Sequence, residues 1–312
     1  PVPGDGRFEW QGFLATSELP RRYNPPEHFI ATANHNILPK GYPHTLGHDW
    51  AAPFRFRRIE EVLRSGKKFT VEDFQRLQHD ETSLAARELI AMLKVAPASG
   101  GDARRMLETW DCVLGKDSAA AALFELWQRH LSTMVISATT PVELRGTVAA
   151  RISHRTLLDR LSAEPASRRQ AWLLKALEEA TNEAEERFGE DAKAWRWGSI
   201  HQLRLHHPLA LDNERRRLFD PPPVERGGDA NTVNNTGGGT RQTSGASYRQ
   251  IFDLADWDRS VATSVPGQSG QPASPHYSDL LPLWAEGRYF PLPYTRAAVE
   301  KHTKQKLVLE PR

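Results

Sequence analysis

The spacing of apolar residues changes twice along the chain. From about Arg57, Ile59, Val62 and Leu63 recur at helical spacing, and Thr70 stands as an N-cap ahead of Val71, Phe74 and Leu77, with Leu84, Leu89 and Leu93 beyond. Pro97 and the Gly100-Gly101 pair close that stretch. Further helices are predicted over about Arg104–Val113, Ala119–Ile136, Val148–Leu161 and Ser167–Phe188. In the last of these Trp172, Leu173, Ala176, Leu177 and Ala180 form one apolar stripe. Residues 57–189 therefore read as a mainly helical region. Residues 1–56 have no such period: Pro, Gly and aromatics alternate, and only short runs such as Phe29-Ile30-Ala31-Thr32-Ala33 look like strand.

After Gly189 the period shortens. Trp195, Trp197, Ile200 and Leu203 fit short strands and turns, and Pro221-Pro222-Pro223 leads into a Gly/Asn/Thr-rich run from Gly227 to Gly245. Ser247–Leu254 and Ser260–Val265 alternate as two strands joined at Asp256-Trp257-Asp258. Helices over Tyr277–Glu286 and Thr295–His302 and a strand at Lys306–Leu309 complete the prediction. Residues 190–312 thus form a β-rich third region, and the class is α+β.

Composition narrows the choice of function. The 312 residues are 39% apolar and 26% charged, with 41 Lys+Arg against 39 Asp+Glu, giving a net charge of +2. That balance is ordinary for a globular protein and argues for neither a nucleic-acid nor a membrane-surface partner. No apolar run approaches the roughly 20 residues that a membrane helix needs. A lone cysteine, Cys112, excludes an internal disulfide and a Cys-built zinc site. The opening Pro1-Val2-Pro3-Gly4, without Met or a leader pattern, reads as the inside of a longer product.

Most candidate chemistry fails on its own terms. His44 and His48 are four apart, but Pro43 and Gly47 break any helix there, and no zincin glutamate accompanies them. His28 with His35, and His201 with His206-His207, read as hydrogen-bonded or surface histidines. Arg215-Arg216-Arg217 and Arg57-Arg58 are interleaved with Glu214, Glu60 and Glu61, as on solvated faces. There is no G-x-S-x-G, P-loop or dinucleotide fingerprint. An N-terminal proline can act as a base, but no partner for Pro1 is evident.

Specific wording goes further. The run Glu9-Trp10-Gln11-Gly12, Asn24-Pro25, Phe29-Ile30-Ala31-Thr32-Ala33-Asn34-His35-Asn36 and Tyr42-Pro43 resembles the penicillin acylase family of N-terminal-nucleophile amidohydrolases. Trp197-Gly198, His201, His207-Pro208-Leu209, Gly228-Asp229, Thr232-Val233-Asn234 and Tyr248-Arg249 continue the likeness. Pro266-Gly267-Gln268-Ser269-Gly270 and Ser274-Pro275-His276-Tyr277-Ser278-Asp279 complete it in the family's order. The resemblance implies the later part of a large subunit, within an αββα sandwich that carries a large helical insertion. It implies a precursor that cuts itself into two subunits and a serine nucleophile at the new N-terminus, upstream of Pro1. Its partners would be the rest of that precursor and a small acyl-amide substrate, such as a β-lactam side chain or an acyl-homoserine lactone. Alone, such a piece would be inactive. A non-catalytic binding protein of the same fold is the alternative.

Residue by residue, the family's oxyanion asparagine falls at Asn34, whose side-chain amide would donate to the tetrahedral intermediate. Its supporting arginine falls at Arg55, with Arg57 as rival. The reaction would need no cofactor. Some members bind a structural calcium, and Asp49 is the acid in the corresponding interval, with Asp229 as a candidate behind the site. The family also implies a bacterial periplasmic or extracellular location.

Overall fold

The described residues, 1–149 and 152–311, of the computed structural model hold twelve α-helices and six short strands joined by long loops. Ahead of the first helix, residues 1–53 run as turns and extended loop with one 3-10 turn, Thr16–Glu18. The run Phe29–Ala33 is not a strand. An isolated extended segment has no ladder to join, and Asn34 then turns the chain through left-handed backbone at φ 59°.

Helix α1 (Phe54–Leu63) is pinned by Phe54, which is fully buried. Thr70 caps α2 (Val71–Gln78) in a capping box with Asp73, as its position predicts. Ser83 and Ser118 cap α3 (Leu84–Lys94) and α5 (Ala119–Thr139), and α4 (Gly101–Thr109) lies between them. The stretch predicted as one helix over Val148–Leu161 is two, α6 (Arg145–Ala149) and α7 (His154–Ala163). Residues 150 and 151 lie outside the described residues, and Ser153 starts α7 by accepting from the Thr156 amide. Helix α8 (Ala166–Phe188) ends at Gly189, whose φ of 89° suits a residue without Cβ.

Helix α5 is the axis of this block. Ala121, Ala122, Leu123, Phe124, Leu126 and Trp127 are all fully buried and Glu125 is buried among them, so its first half is enclosed on every side, as a central helix must be. It packs chiefly on α8, and the Trp127 indole donates to the Leu173 carbonyl at 3.0 Å, satisfying the one polar atom that this ring takes into the core.

The remaining elements bring the chain back across the block. Helix α9 (Trp197–Ile200) leads to β1 (Gln202–Leu203), which pairs antiparallel with β2 (Val224–Glu225) and parallel with β3 (Arg241–Gln242). Between β1 and β2 lies α10 (Asn213–Phe219). A second antiparallel sheet joins β4 (Tyr248–Ile251), β5 (Val261–Ser264) and β6 (Phe290–Pro291). Its β4–β5 connection carries a 3-10 turn, Trp257–Arg259, at the predicted place. Helix α11 (Leu280–Ala285) contributes Leu281 and Trp284 to a smaller core with Leu203, and α12 (Arg296–His302) follows. Lys306–Leu309 joins no ladder, and Leu307 and Leu309 are exposed. Nine α-helices precede the first strand and the other three lie between or after the strands of the two small sheets, a mixed α+β layout. No described helix is long and apolar enough to cross a membrane.

Candidate active site

Two neighbouring arginines set the orientation of α1. Arg58 forks onto Asp80, with Nε to Oδ1 and Oδ2 at 3.1 Å and Nη2 to Oδ2 at 2.7 Å, and Arg57 meets Glu88 at 2.5 Å. With Phe54 in the core and these two arginines clamped to the helical block, Arg55 is left on the side facing the N-terminal loop. Its Nη2 donates to Asn34 Oδ1 at 3.0 Å, across 21 residues of sequence. The structure thus brings Asn34 and Arg55 together, while Arg57, the rival arginine, is engaged elsewhere.

That contact fixes which way the Asn34 amide points. A guanidinium can only donate, so the atom facing it must be the carbonyl oxygen. The Nδ2 hydrogens therefore point away from Arg55, and Asn34 is exposed, with no acceptor for them among the described residues. The Asn34 carbonyl in turn accepts from the Ala51 amide at 2.8 Å, tying the loop to the approach of α1. The left-handed φ is one that asparagine tolerates better than most residues.

Behind Arg55 lies a cavity of about 310 Å³, lined by Ala51, Arg55, Ser153, His154, Asn231 and Asn235 among others. Asp229, 7% exposed, lies next to the lining residues Ala230 and Asn231. Asp229 Oδ1 accepts the amides of Asn231 and Thr232, both at 2.8 Å, and Oδ2 accepts the Asn231 side chain at 3.1 Å. The same Asn231 Nδ2 donates to His154 Nδ1 at 2.6 Å. Burial pulls the Arg55 guanidinium below its ordinary pKa, and the Asp229 carboxylate opposes that shift. Burial also lowers His154, again against Asp229, and raises the Glu125 carboxyl well above the carboxylate range, with Asp229 adding to the rise.

On the other side of the Asn34 loop is a cavity of about 350 Å³, lined by Arg21, Arg22, Ile30, His35, Ile37 and Phe56 among others. His35 stacks on Phe56 there, centroids 3.7 Å apart.

The other expected groups do not converge. Asp49 is exposed, and no cluster of three or more His, Cys, Asp or Glu able to hold a metal occurs among the described residues, so they do not fit a calcium cage by themselves. His44 lies 3.4 Å from Glu18, His206 bonds Asp220 at 2.6 Å, and His201 is buried against Trp197 with Nδ1 2.5 Å from the Gly239 carbonyl. Sequence reasoning passed over His154, Asn231 and Glu125. The Asp229-Ala230-Asn231-Thr232 spacing, a side-chain cap motif, is the signal that could have found the loop.

The penicillin amidase family model matches residues 1–301. Penicillin acylase 2 proenzyme from Pseudomonas sp. is 30% identical, over 99% of this chain and 42% of its own length. Acyl-homoserine lactone acylase QuiP from Pseudomonas syringae pv. tomato is 28% identical, over 100% and 43%. In fold, the chain is similar to a thermostable penicillin G acylase from Alcaligenes faecalis, with a TM-score of 0.62 and 18% identity over 100% of this chain and 62% of that one. The chain therefore spans less than half the length of these two sequence relatives. It belongs to the penicillin amidase family.

Proposed function

We propose that this chain is the later part of the large subunit of an acylase that hydrolyses N-acyl amides. The nucleophile would be the N-terminal serine of that subunit, in a segment outside this sequence. The observation that carries the reading is the Arg55 Nη2–Asn34 Oδ1 contact, which turns the Asn34 N–H₂ outward as a preset donor. In the reaction the serine oxygen adds to the amide carbon and its proton passes to the serine's α-amine. The carbonyl oxygen becomes an oxyanion that Asn34 Nδ2 stabilises. Collapse expels the amine, which takes up that proton, and water then cleaves the acyl-enzyme ester to release the acid.

The acyl group could be a β-lactam side chain or the tail of an acyl-homoserine lactone, the two substrates named by the relatives. Exposed Trp10, Phe13 and Tyr23 support docking of residues 1–52 on the rest of the precursor. A structural calcium at Asp49 would need its other oxygen ligands from that remainder, and export to the periplasm or beyond accompanies the proposal.

The test is the full-length product of the parent gene, examined by intact mass, N-terminal sequencing and an acyl-amide panel. Self-cleavage that exposes Ser, Thr or Cys, and an Asn34→Ala variant about 10²–10³ slower in kcat, are expected. An uncut chain that binds acyl amides without hydrolysing them would support the binding-protein alternative instead.

A further inference from the structure

A cavity of about 960 Å³ opens where the helical block meets the smaller core around Trp284, and it shares no lining residue with the two cavities beside the Asn34 loop. Its walls include His79, Glu81, Val224, Arg226 and Leu281. Three elements bring two arginines onto one ring there. Arg226 directly follows β2, Arg249 lies on β4, and α11 supplies Trp284, with 4, 5 and 1% of their surfaces exposed. The two guanidinium carbons stand 4.3 and 5.4 Å from the centroid of the Trp284 ring.

Two positive charges on one buried ring call for acceptors and a counter-charge. The acceptors that the protein supplies are neutral: Arg226 Nη1 donates to the Ala285 carbonyl at 2.5 Å, and Arg249 Nη2 to the Asn234 carbonyl at 2.7 Å. Arg226 Nε and Arg249 Nη1 are buried without a partner among the described residues. The carboxylates around the cavity are engaged elsewhere. Glu225 meets Arg196 at 2.5 Å, and Glu286 meets Arg288 at 2.8 Å. Glu81 Oε1 accepts from Asn234 Nδ2 at 3.2 Å, and burial pushes this carboxyl up to about 7, so it offsets only part of one positive charge. His79 is neutral, pulled down to about 3 by burial and by the two arginines, and Lys116 adds another cation to the wall. The balance is an excess of positive charge. Along the same cavity Pro223, Val224, Leu281, Pro282 and Ala285 form an apolar side.

We propose that this cavity is a binding site for an organic carboxylate, its acid group at Arg226 and its apolar body along Val224, Leu281 and Ala285. A carboxylate brings two charged acceptors to a guanidinium that has N–H groups to spare. The volume and the apolar side suit an organic acid better than an inorganic anion. That carboxylate would belong either to a free small molecule or to an Asp or Glu side chain of a segment outside this sequence. The inference goes beyond the acylase reading and would stand without it.

Crystals of the full-length protein, grown with and without bromobenzoate, separate the two sources. A site for free acids shows the bromobenzoate carboxylate on Arg226, with the anomalous signal of the bromine against the apolar side. A carboxylate supplied by the protein shows as an Asp or Glu side chain on Arg226 in both crystals. A cavity with neither would overturn the inference. Where the site is open, calorimetric titration with hexanoate follows. Arg226→Gln should weaken binding about tenfold or more, and the uncharged hexanamide should bind wild type more weakly by a similar factor. Should Arg226→Gln fail to fold, Val224→Asp sets a competing carboxylate on the cavity wall and should weaken hexanoate as well. Hexanoate binding that neither substitution weakens, or no binding in solution at all, would mean binding at crystal concentration only and would also overturn the inference.

Discussion

Trp127 and Phe124 in the helical block, and Trp197 packed into the same core, are fully buried, whereas in residues 1–52 Trp10, Phe13 and Tyr23 expose 86, 93 and 93% of their surface. Residues 1–52 hold seven aromatics, as many as the much longer residues 57–189, and the burial of those named is opposite. In the block, α5, α7 and α8 supply one another with apolar faces, so the pattern closes on itself. In the arm, Ala33 is the one buried residue, and its shape rests on a few hydrogen bonds, such as Tyr42 Oη to the Glu18 carbonyl at 2.7 Å and the Ala51 amide to Asn34. The candidate site sits where the regions meet: Arg55 belongs to a helix anchored in the block, and Asn34 to the arm.

The block should be the more fragile of the two to substitution. Trp127→Ala removes a fully buried indole and its bond to the Leu173 carbonyl. It should destabilise this chain by about 3–5 kcal/mol in denaturant unfolding. A variant of near wild-type stability would mean that α5 is not the axis of the core.

Next in size is Gly228→Ala. Gly228 adopts φ +77°, and an added Cβ would stand 2.1 Å from Asn234 Oδ1. The strain and overpacking should cost about 1–3 kcal/mol, and an Asn234→Ala partner change should recover part of it. Stability unaffected by Gly228→Ala would show that the loop carrying Asp229 is less tightly seated than its bonds indicate.

A smaller effect should appear with pH. Burial raises Glu81 from an ordinary 4.5 to about 7, and the carboxyl accepts from Asn234 Nδ2 at 3.2 Å. The folded state then holds a proton that the unfolded state has released, so this group's contribution is present in full below about 4.5 and is lost as pH rises toward 7. Glu81→Gln should flatten the fall in unfolding free energy across that window. An unchanged slope would assign the fall to other groups.

The same contrast explains what was legible in the sequence. Helix starts were readable because caps are local: Thr70 and Asp73 are three residues apart and close their own capping box. The joint between α6 and α7 was missed although Ser153 offered the same kind of signal. Phe29–Ala33 and Lys306–Leu309 read as strands because a strand's pattern is local while its partner is not. The Asn34–Arg55 pairing came from family wording, and no period in the chain implies it. His154 and Asn231, 77 residues apart, meet only because α7 and the Gly-rich loop pack together, and a single sequence has no signal at that range.

The smallest stability effect is expected where exposure is among the greatest. Trp10→Ala in the arm should change the unfolding free energy of this chain by less than about 0.5 kcal/mol, because an indole 86% exposed has little burial to lose. In the proposed full-length precursor the same change should be costly if the arm docks on the remainder, since an aromatic ring anchoring such an interface contributes about 2 kcal/mol or more. The comparison is made by unfolding both lengths, wild type and variant, under one set of conditions. A gap between the two lengths means that the arm's apolar residues are completed by the rest of the precursor, and with them the loop that presents Asn34. Equal, negligible changes would leave the arm without that partner and would weaken the case that Asn34 is held ready for a substrate.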